Sequence, residues 1–352
     1  MELAETVALP LSAGTSARAA QRRYAQGLAL FAVYLTLYLA SLAGALAPLP
    51  VAANLAFSIA NGIFMAMLFI VGHDCCHGAL VPSRKWNAWL GRIAFLPILH
   101  STSLWRLTHN KRHHARTNLK GFDPVWAPMG LDEYRAASPA RRFVERVYRG
   151  YWGPLFYHHA AMWLPSLLAP LHRAARRQWR QHIWDSLFVV AGGAALVTTI
   201  LCAGHAFAPT RSLWLVAVLG WAVPYLAWGY LAGISFYLNH THPSVPWFAD
   251  EARWRDHDVN LRGSVHVKLP IDLLPLYSDA MTHTAHHVDA STPVYALSET
   301  QARLKAAHGE AVVEYVLTPD AYRRIVRACK LFDFERMCWT DFDGRPTSSR
   351  LA

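Results

Sequence analysis

The chain has 352 residues, of which 53% are apolar and only 16% are charged, and its formal net charge is +11. This composition is too apolar for an ordinary soluble enzyme, so an integral membrane protein is the first class to consider. The positive charge does not require a nucleic acid partner, because a protein on the anionic inner leaflet of a membrane carries a similar excess.

Long uncharged stretches predict where the chain crosses the membrane. No Asp, Glu, Lys or Arg occurs between Arg23 and Asp74, a length that fits two spans of about 20 residues each, broken at Pro48 and Pro50. A second pair of uncharged stretches flanks Arg211. The chain is therefore expected to cross four times, in two antiparallel hairpins. The predicted spans are residues 25–48, 51–71, 186–208 and 212–238.

Basic residues indicate the orientation of these spans, because short loops rich in Lys and Arg stay in the cytoplasm. They precede the first span and crowd the segment between the second and third, whereas both far-side connections are nearly uncharged. We expect a multi-pass protein of the bacterial cytoplasmic membrane with both termini in the cytoplasm. The predicted fold is all-α with a cytoplasmic helical cap, and residues 151–170 form a helix lying in the interface. The predicted parts are a cytoplasmic N-terminal segment (1–24), a membrane and catalytic domain (25–297) and a cytoplasmic C-terminal tail (298–352).

Eight of the 19 histidines lie in three motifs on the predicted cytoplasmic side. Two histidines four residues apart share a helix face about 6 Å apart along the axis, which is close enough to bind one metal ion or two adjacent ones. One such pair is more often a surface or core pair, but eight near span ends are hard to explain by packing, because ionisable groups there are costly and usually functional. The eight are His73 and His77, then His109, His113 and His114, then His283, His286 and His287.

The number of histidines bears on the metal. Imidazole is a suitable ligand for iron, zinc and copper, so ligand type alone does not choose between them. A catalytic zinc ion takes about three protein ligands, and eight histidines exceed that number. The sequence therefore predicts a two-metal site, and iron used with dioxygen is the simplest interpretation.

The HxxxH, HxxxHH and HxxHH motifs, in this order and setting, resemble the three histidine boxes of the membrane fatty acid desaturases. Residues 239–247, 263–266 and 292–297 also fit, so the resemblance covers about residues 72–297 and is nearest to the methyl-end, delta-12-like group. Two departures put the subfamily in question. Cys76 stands where that group usually has glycine, and three residues rather than two separate His109 from His113.

The resemblance implies a non-haem di-iron enzyme that uses O2 to introduce a cis double bond into a fatty acyl chain. The substrate would be an acyl lipid, an acyl-CoA or an acyl carrier protein. No His-Pro-Gly-Gly haem motif is present, so the electrons would come from a separate ferredoxin or cytochrome b5-like protein. Two alternatives stay open. One is a hydroxylase, ketolase or epoxidase built on the same site, and the other is a non-enzymatic membrane metal-binding protein.

A ninth histidine is expected to complete the site. Eight imidazoles shared by two ions leave each with about four, and iron usually takes more ligands. Within the resemblance, His240 at the cytoplasmic end of the fourth span looks like the histidine that membrane desaturases share in this segment. It is therefore the expected ninth ligand, with Asn239 or His242 beside it as water-holding neighbours. His266 is the rival candidate.

Other residues receive more general interpretations. Asp74 and Asp279 are expected to hold the free ring nitrogens of ligating histidines, whereas Asp123 is expected to be a loop or helix-cap residue. His100 is a candidate for lining a substrate tunnel. The remaining histidines are expected to play no part in the site: His158, His159, His172 and His182 as interfacial side chains, His205 on the far side, and His308 in a charged helix.

Overall fold

The computed structural model describes residues 13–167, 179–272 and 274–351. His172 lies outside the described residues. The α-helices of the described part are α1 (Ala13–Leu46), α2 (Val51–His77), α3 (Arg84–Phe95), α4 (Thr102–Trp105), α5 (Leu131–Ala136), α6 (Pro139–Tyr148), α7 (Gly153–Tyr157), α8 (Leu164–Leu167), α9 (Trp179–Phe207), α10 (Leu213–Ala217), α11 (Val223–His240), α12 (Glu251–Arg255), α13 (Val259–Arg262), α14 (Pro275–Ala280), α15 (His283–Val288), α16 (Val294–His308) and α17 (Pro319–Ala328). Tighter or wider helical turns cover Arg106–His113, His114–Arg116, His158–Trp163, Val218–Ala222 and Gly309–Ala311.

Four helices of the described part are long and apolar enough to cross a membrane, which confirms the predicted number. The outer two, in α1 and α9, expose most of their apolar side chains, whereas α2 and α11 are buried more deeply. Helix α1 packs along α2, α2 packs along α11, and α9 packs against α10. The protein is therefore a membrane protein with α2 and α11 at its centre. The four helices are Gln21–Leu46, Val51–His77, Trp179–Phe207 and Leu213–His240.

The all-α prediction is wrong outside the membrane helices, because four short strands form two small sheets. Strand β1 (His266–Lys268) pairs in parallel with β2 (Glu314–Val316), with His266 opposite Glu314. Strand β3 (Leu331–Asp333) pairs antiparallel with β4 (Cys338–Thr340). Each strand has three residues, which is too short for an alternating pattern to be recognised in the sequence.

The chain after residue 298, expected as a tail, is folded against the rest of the protein. Trp339 of β4 is fully buried, and its indole N–H donates to the Val245 carbonyl at 3.0 Å. Strand β2 pairs with β1, which precedes the third histidine motif. Through Trp339 and β2, the C-terminal residues therefore support residues 245–268, which lie between His240 and the third histidine motif.

The segment from α7 through the wider turn at His158–Trp163 packs against α11. Glycines on α11 make this possible. A Cβ at Gly229 would lie 1.9 Å from Cε1 of His159, and one at Gly233 would lie 2.1 Å from the Pro154 carbonyl oxygen. His158 is consequently buried, with its ring 5.1 Å from that of Trp228.

Candidate metal centre

Nine histidines, the same nine that the sequence singles out, converge in two groups. Within each group the potential ligand nitrogens all lie within 4.8 Å of one another. The first group is His73, His77, His109, His114 and His286, and the second group is His113, His240, His283 and His287.

Helix geometry decides which group each histidine joins. His73 and His77 are one α-helical turn apart at the end of α2, where Gly78 ends the helix in a left-handed conformation (φ 74°). Residues Arg106–His113 form a π-helix, whose wider turn brings residues five apart onto one face. His109 and His114 therefore meet, with 3.1 Å between their Nε2 atoms, while His113 faces the second group. The rings of His109 and His113 lie 5.2 Å apart but belong to different groups, which is the second of the two possibilities that their spacing left open.

The third motif also divides between the groups. On α15, His283 and His287 are one turn apart and their Nε2 atoms lie 3.1 Å apart in the second group. His286 points to the first group, where its Nε2 lies 3.1 Å from that of His114. His240, at the end of α11, brings its Nε2 to 2.9 Å from that of His283. In two pairs of adjacent residues, His113 with His114 and His286 with His287, one imidazole joins each group. The two groups therefore lie side by side.

The electrostatic setting favours the neutral form of five of these imidazoles. Burial lowers the pKa of His109, His114, His283, His286 and His287 well below its ordinary value, and neighbouring histidines lower it further. A neutral imidazole has a free lone pair, which is the form that binds a metal.

Unpaired nitrogens test whether a metal suits the site. Nε2 of His77 and Nε2 of His113 are buried and have no hydrogen-bond partner. A buried polar atom without a partner is costly unless something binds it. Each group has at least one such atom, and both groups consist of histidines alone. The residues present therefore fit two metal ions.

Carboxylates lie against the Nδ1 atoms of two of the rings, and one of these two carboxylates was expected there. Nδ1 of His113 lies 2.9 Å from Oδ1 of Asp123, and Nδ1 of His73 lies 3.5 Å from Oδ1 of Asp74. The position of Asp74 agrees with the prediction. The interpretation of Asp123 as a simple loop or cap residue is wrong, and so is the role expected for Asp279, whose carboxylate instead accepts from the Ser298 hydroxyl.

Two further partners of the rings were missed in the sequence. Nδ1 of His287 lies 3.3 Å from the Thr117 hydroxyl oxygen, and Nδ1 of His240 lies 3.2 Å from the Gly263 carbonyl oxygen. Both contacts turn Nε2 toward the second group, in the way that partners of ligating histidines usually do. Neither has a spacing signal, because the partners come from distant loops.

The rival and neighbouring histidines lie outside both groups. His266 directs Nδ1 to Oε1 of Glu314 at 3.0 Å. His242 stacks on Tyr315 with 4.9 Å between ring centroids and belongs to neither group. Asn239 is buried, its side-chain oxygen has no hydrogen-bond partner, and it lines a small cavity beside His73 and His283.

A larger cavity of about 510 Å³ reaches His109 of the first group. His100, the candidate for lining a substrate tunnel, lines this cavity. His158 also lines it, so its interpretation as an interfacial side chain is wrong. The same interpretation is wrong for His182, which is buried with Nδ1 3.0 Å from the Ser103 hydroxyl oxygen. The wall is mainly apolar and aromatic and includes Phe69, Ile98, Trp105, Val125, Met162 and Trp228.

The model of the fatty acid desaturase family matches residues 48–319, a range that holds all nine histidines. The chain belongs to this family. It is 29% identical over 281 residues to the sn-1 oleoyl-lipid 12-desaturase of Picosynechococcus sp., which covers 78% of this chain and 76% of the relative. The same enzyme of Synechocystis sp. is 29% identical over 277 residues, covering 78% and 75%.

A second kind of relative is also similar. The sn-1 acyl-lipid omega-3 desaturase (ferredoxin) of Synechocystis sp. is 28% identical over 268 residues, covering 72% of this chain and 68% of the relative. These similarities confirm the resemblance to the methyl-end, delta-12-like group, despite Cys76 and the longer second histidine box.

Proposed function

We propose that this desaturase-family chain introduces a cis double bond into the acyl chain of a membrane lipid, using O2 and two iron ions held by the two histidine groups. The observation that carries the proposal is the apolar cavity that ends at His109 of the first group. A cavity of about 510 Å³ suits a long hydrocarbon chain. The relatives named above act on oleoyl or other acyl lipids, which supports the same substrate class here.

Iron is proposed because the donor set consists of imidazoles that keep their lone pairs free. His73, His77, His109, His114 and His286 would hold one ion, and His113, His240, His283 and His287 the other. When bound, the two ions would supply the reductive activation of O2. In the overall reaction the acyl chain loses two hydrogen atoms, and O2 takes up these hydrogens with two electrons and two protons to give two water molecules.

The protein's own contribution is to position the chain and to exclude water. Trp105 lies in the cavity wall and stacks on His109, with ring centroids 4.7 Å apart and planes inclined by 24°. This contact fixes the imidazole next to the acyl chain. Phe69, Trp105 and Trp228 form an aromatic wall that holds the reacting methylenes in place.

The proposed topology places both termini and the histidine groups in the cytoplasm of a bacterial cytoplasmic membrane. The excess of basic residues in the segment between α2 and α9 supports it. Epitope tags inserted within residues 131–142 should be accessible from the cytoplasm, and a tag beside Arg211 from the opposite side. A tag within 131–142 that is accessible only from outside contradicts this topology.

Fatty acid methyl ester profiling tests the reaction. A host with oleoyl lipids that expresses the chain together with a ferredoxin and its reductase should accumulate a fatty acid lighter than its precursor by two hydrogens. The His109→Ala variant should make none. The His308→Ala variant should match the unmodified chain, because His308 is exposed and belongs to neither group. A product that gains an oxygen atom instead identifies a hydroxylase or epoxidase and overturns the proposal.

A further inference from the structure

The proposed reaction needs two electrons that neither the acyl chain nor O2 brings, so a one-electron carrier must reach the histidine groups from solution. The second group lies close in the chain to a partly exposed side chain, that of His242. His242 follows His240 by two residues, which puts their Cα atoms at most about 7 Å apart. The His242 ring does not join the group but stacks on Tyr315, with planes inclined by 21°.

This ring pair forms part of an open groove of about 620 Å³, which we name the α17 groove. The groove lies between the residues after α11, the end of β2 and helix α17. Arg324 and Arg327 line it, and both are exposed. Val316 at its edge is 49% exposed.

The α17 groove differs in charge from helix α12, which carries exposed arginines of its own. None of the described residues that line the groove carries a carboxylate. On helix α12 the cations Arg253 and Arg255 stand beside Glu251, which pairs with Arg255 at 2.7 Å. A carboxylate-free groove with two arginines and an apolar edge is complementary to an acidic protein surface.

We propose that the α17 groove is the docking surface for an acidic one-electron carrier protein, and that the His242–Tyr315 ring pair is where its electrons enter. This proposal rests on the proposed function. Each docking event delivers one electron, which passes from the carrier's reduced centre through His242 and the two peptide units that join it to His240. Two events supply the two electrons that the reaction consumes, and the carrier leaves oxidised each time.

The test uses the full iron-loaded chain in nanodiscs and an acidic [2Fe–2S] ferredoxin as the probe. The Arg324→Glu/Arg327→Glu variant should raise the Kd for this ferredoxin by about tenfold and remove most of its dependence on ionic strength. The Arg324→Gln/Arg327→Gln variant should give a smaller rise. The matched control Arg253→Glu/Arg255→Glu makes the same charge change on α12 and should bind normally.

Electron entry has its own readout. His242→Phe keeps an aromatic ring against Tyr315, so ferredoxin should still bind, but its reoxidation after mixing should slow by about tenfold. Alkene formation driven by dithionite and a small viologen should persist in the charge variants, because a small reductant needs no docking surface. If alkene forms with neither reductant, the proposed function fails, which is a different outcome from failed docking.

Three results would overturn the docking proposal. One is an unchanged ferredoxin Kd in Arg324→Glu/Arg327→Glu, and another is an equal or larger effect of Arg253→Glu/Arg255→Glu. The third is that Arg324→Glu/Arg327→Glu binds ferredoxin normally but no longer binds vesicles containing anionic phosphatidylglycerol. That result would make the groove a lipid-contacting surface.

Discussion

Oδ1 of Asp123 lies 2.9 Å from Nδ1 of His113, and neither side chain is exposed to solvent. The carboxylate is itself fixed, because Oδ2 accepts the Asn118 N–H at 2.8 Å and Oδ1 accepts the Val125 N–H at 2.9 Å. This arrangement keeps the proton of His113 on Nδ1 and leaves the Nε2 lone pair directed at the second group. A carboxylate in this position also makes the imidazole a stronger ligand.

Asp123→Asn should therefore weaken metal binding at the second group by about 10- to 100-fold, since the amide keeps the shape but not the charge. Iron retained against graded concentrations of a chelator measures the effect. Asp279→Asn is the control, because Asp279 bonds to Ser298 and contacts neither group. Equal iron retention by both variants would show that Asp123 has no such role.

His240→Ala should cost the protein about one of two iron ions, because it removes one of the four imidazoles of the second group. His242→Ala and His266→Ala should keep both, since His242 stacks on Tyr315 and His266 bonds to Glu314. Elemental analysis of the purified variants decides among the three. Normal iron content in His240→Ala, or a loss confined to His266→Ala, contradicts the assignment of His240.

The nine histidines could be found from the sequence because motif spacing and apolar spans are local signals. Their division into two groups could not, because it depends on the π-helix at Arg106–His113, which the sequence pattern does not reveal. Asp123 was misinterpreted because its contact with His113 is made by a loop that turns back after Leu119. His158 was misplaced because its burial depends on the lack of a side chain at Gly233, on a helix far along the chain.

The cavity makes a prediction about two neighbouring alanines. Ala161 lines it, whereas Ala160 is exposed and does not. Ala161→Trp should fill part of the space for the acyl chain and lower turnover by about tenfold or more, with iron content unchanged. Ala160→Trp should leave turnover near normal. Methyl ester profiles over acyl chains of different length provide the measurement, and equal turnover in the two variants would remove the cavity as the acyl site.

Glu314 joins β1 to β2 through its carboxylate, which accepts from Lys268 at 2.8 Å and from Gln301 at 3.1 Å and lies 3.0 Å from Nδ1 of His266. Burial raises the pKa of Glu314, but hydrogen bonds from Lys268, Gln301 and His266 outweigh it and lower the pKa to about 2. In the unfolded chain the value is 4.5. The Glu314 carboxylate therefore binds a proton less readily in the folded state than in the unfolded state.

The sign of the pH effect follows from this difference. Stability from Glu314 is fully present above pH 4.5 and is lost as the pH falls toward about 2. Glu314→Gln should lower the free energy of unfolding by about 1–2 kcal/mol at neutral pH, after allowance for solvent screening of a side chain that is 14% exposed. The difference from the unmodified chain should shrink as the pH falls below 4.5. Denaturant unfolding in detergent, at neutral and acidic pH, measures both values.

Glu310→Gln is the matched control, since Glu310 is exposed and lies outside this network. A constant difference between Glu314→Gln and the unmodified chain across this pH range would mean that the loss comes from packing and not from the charge of the carboxylate.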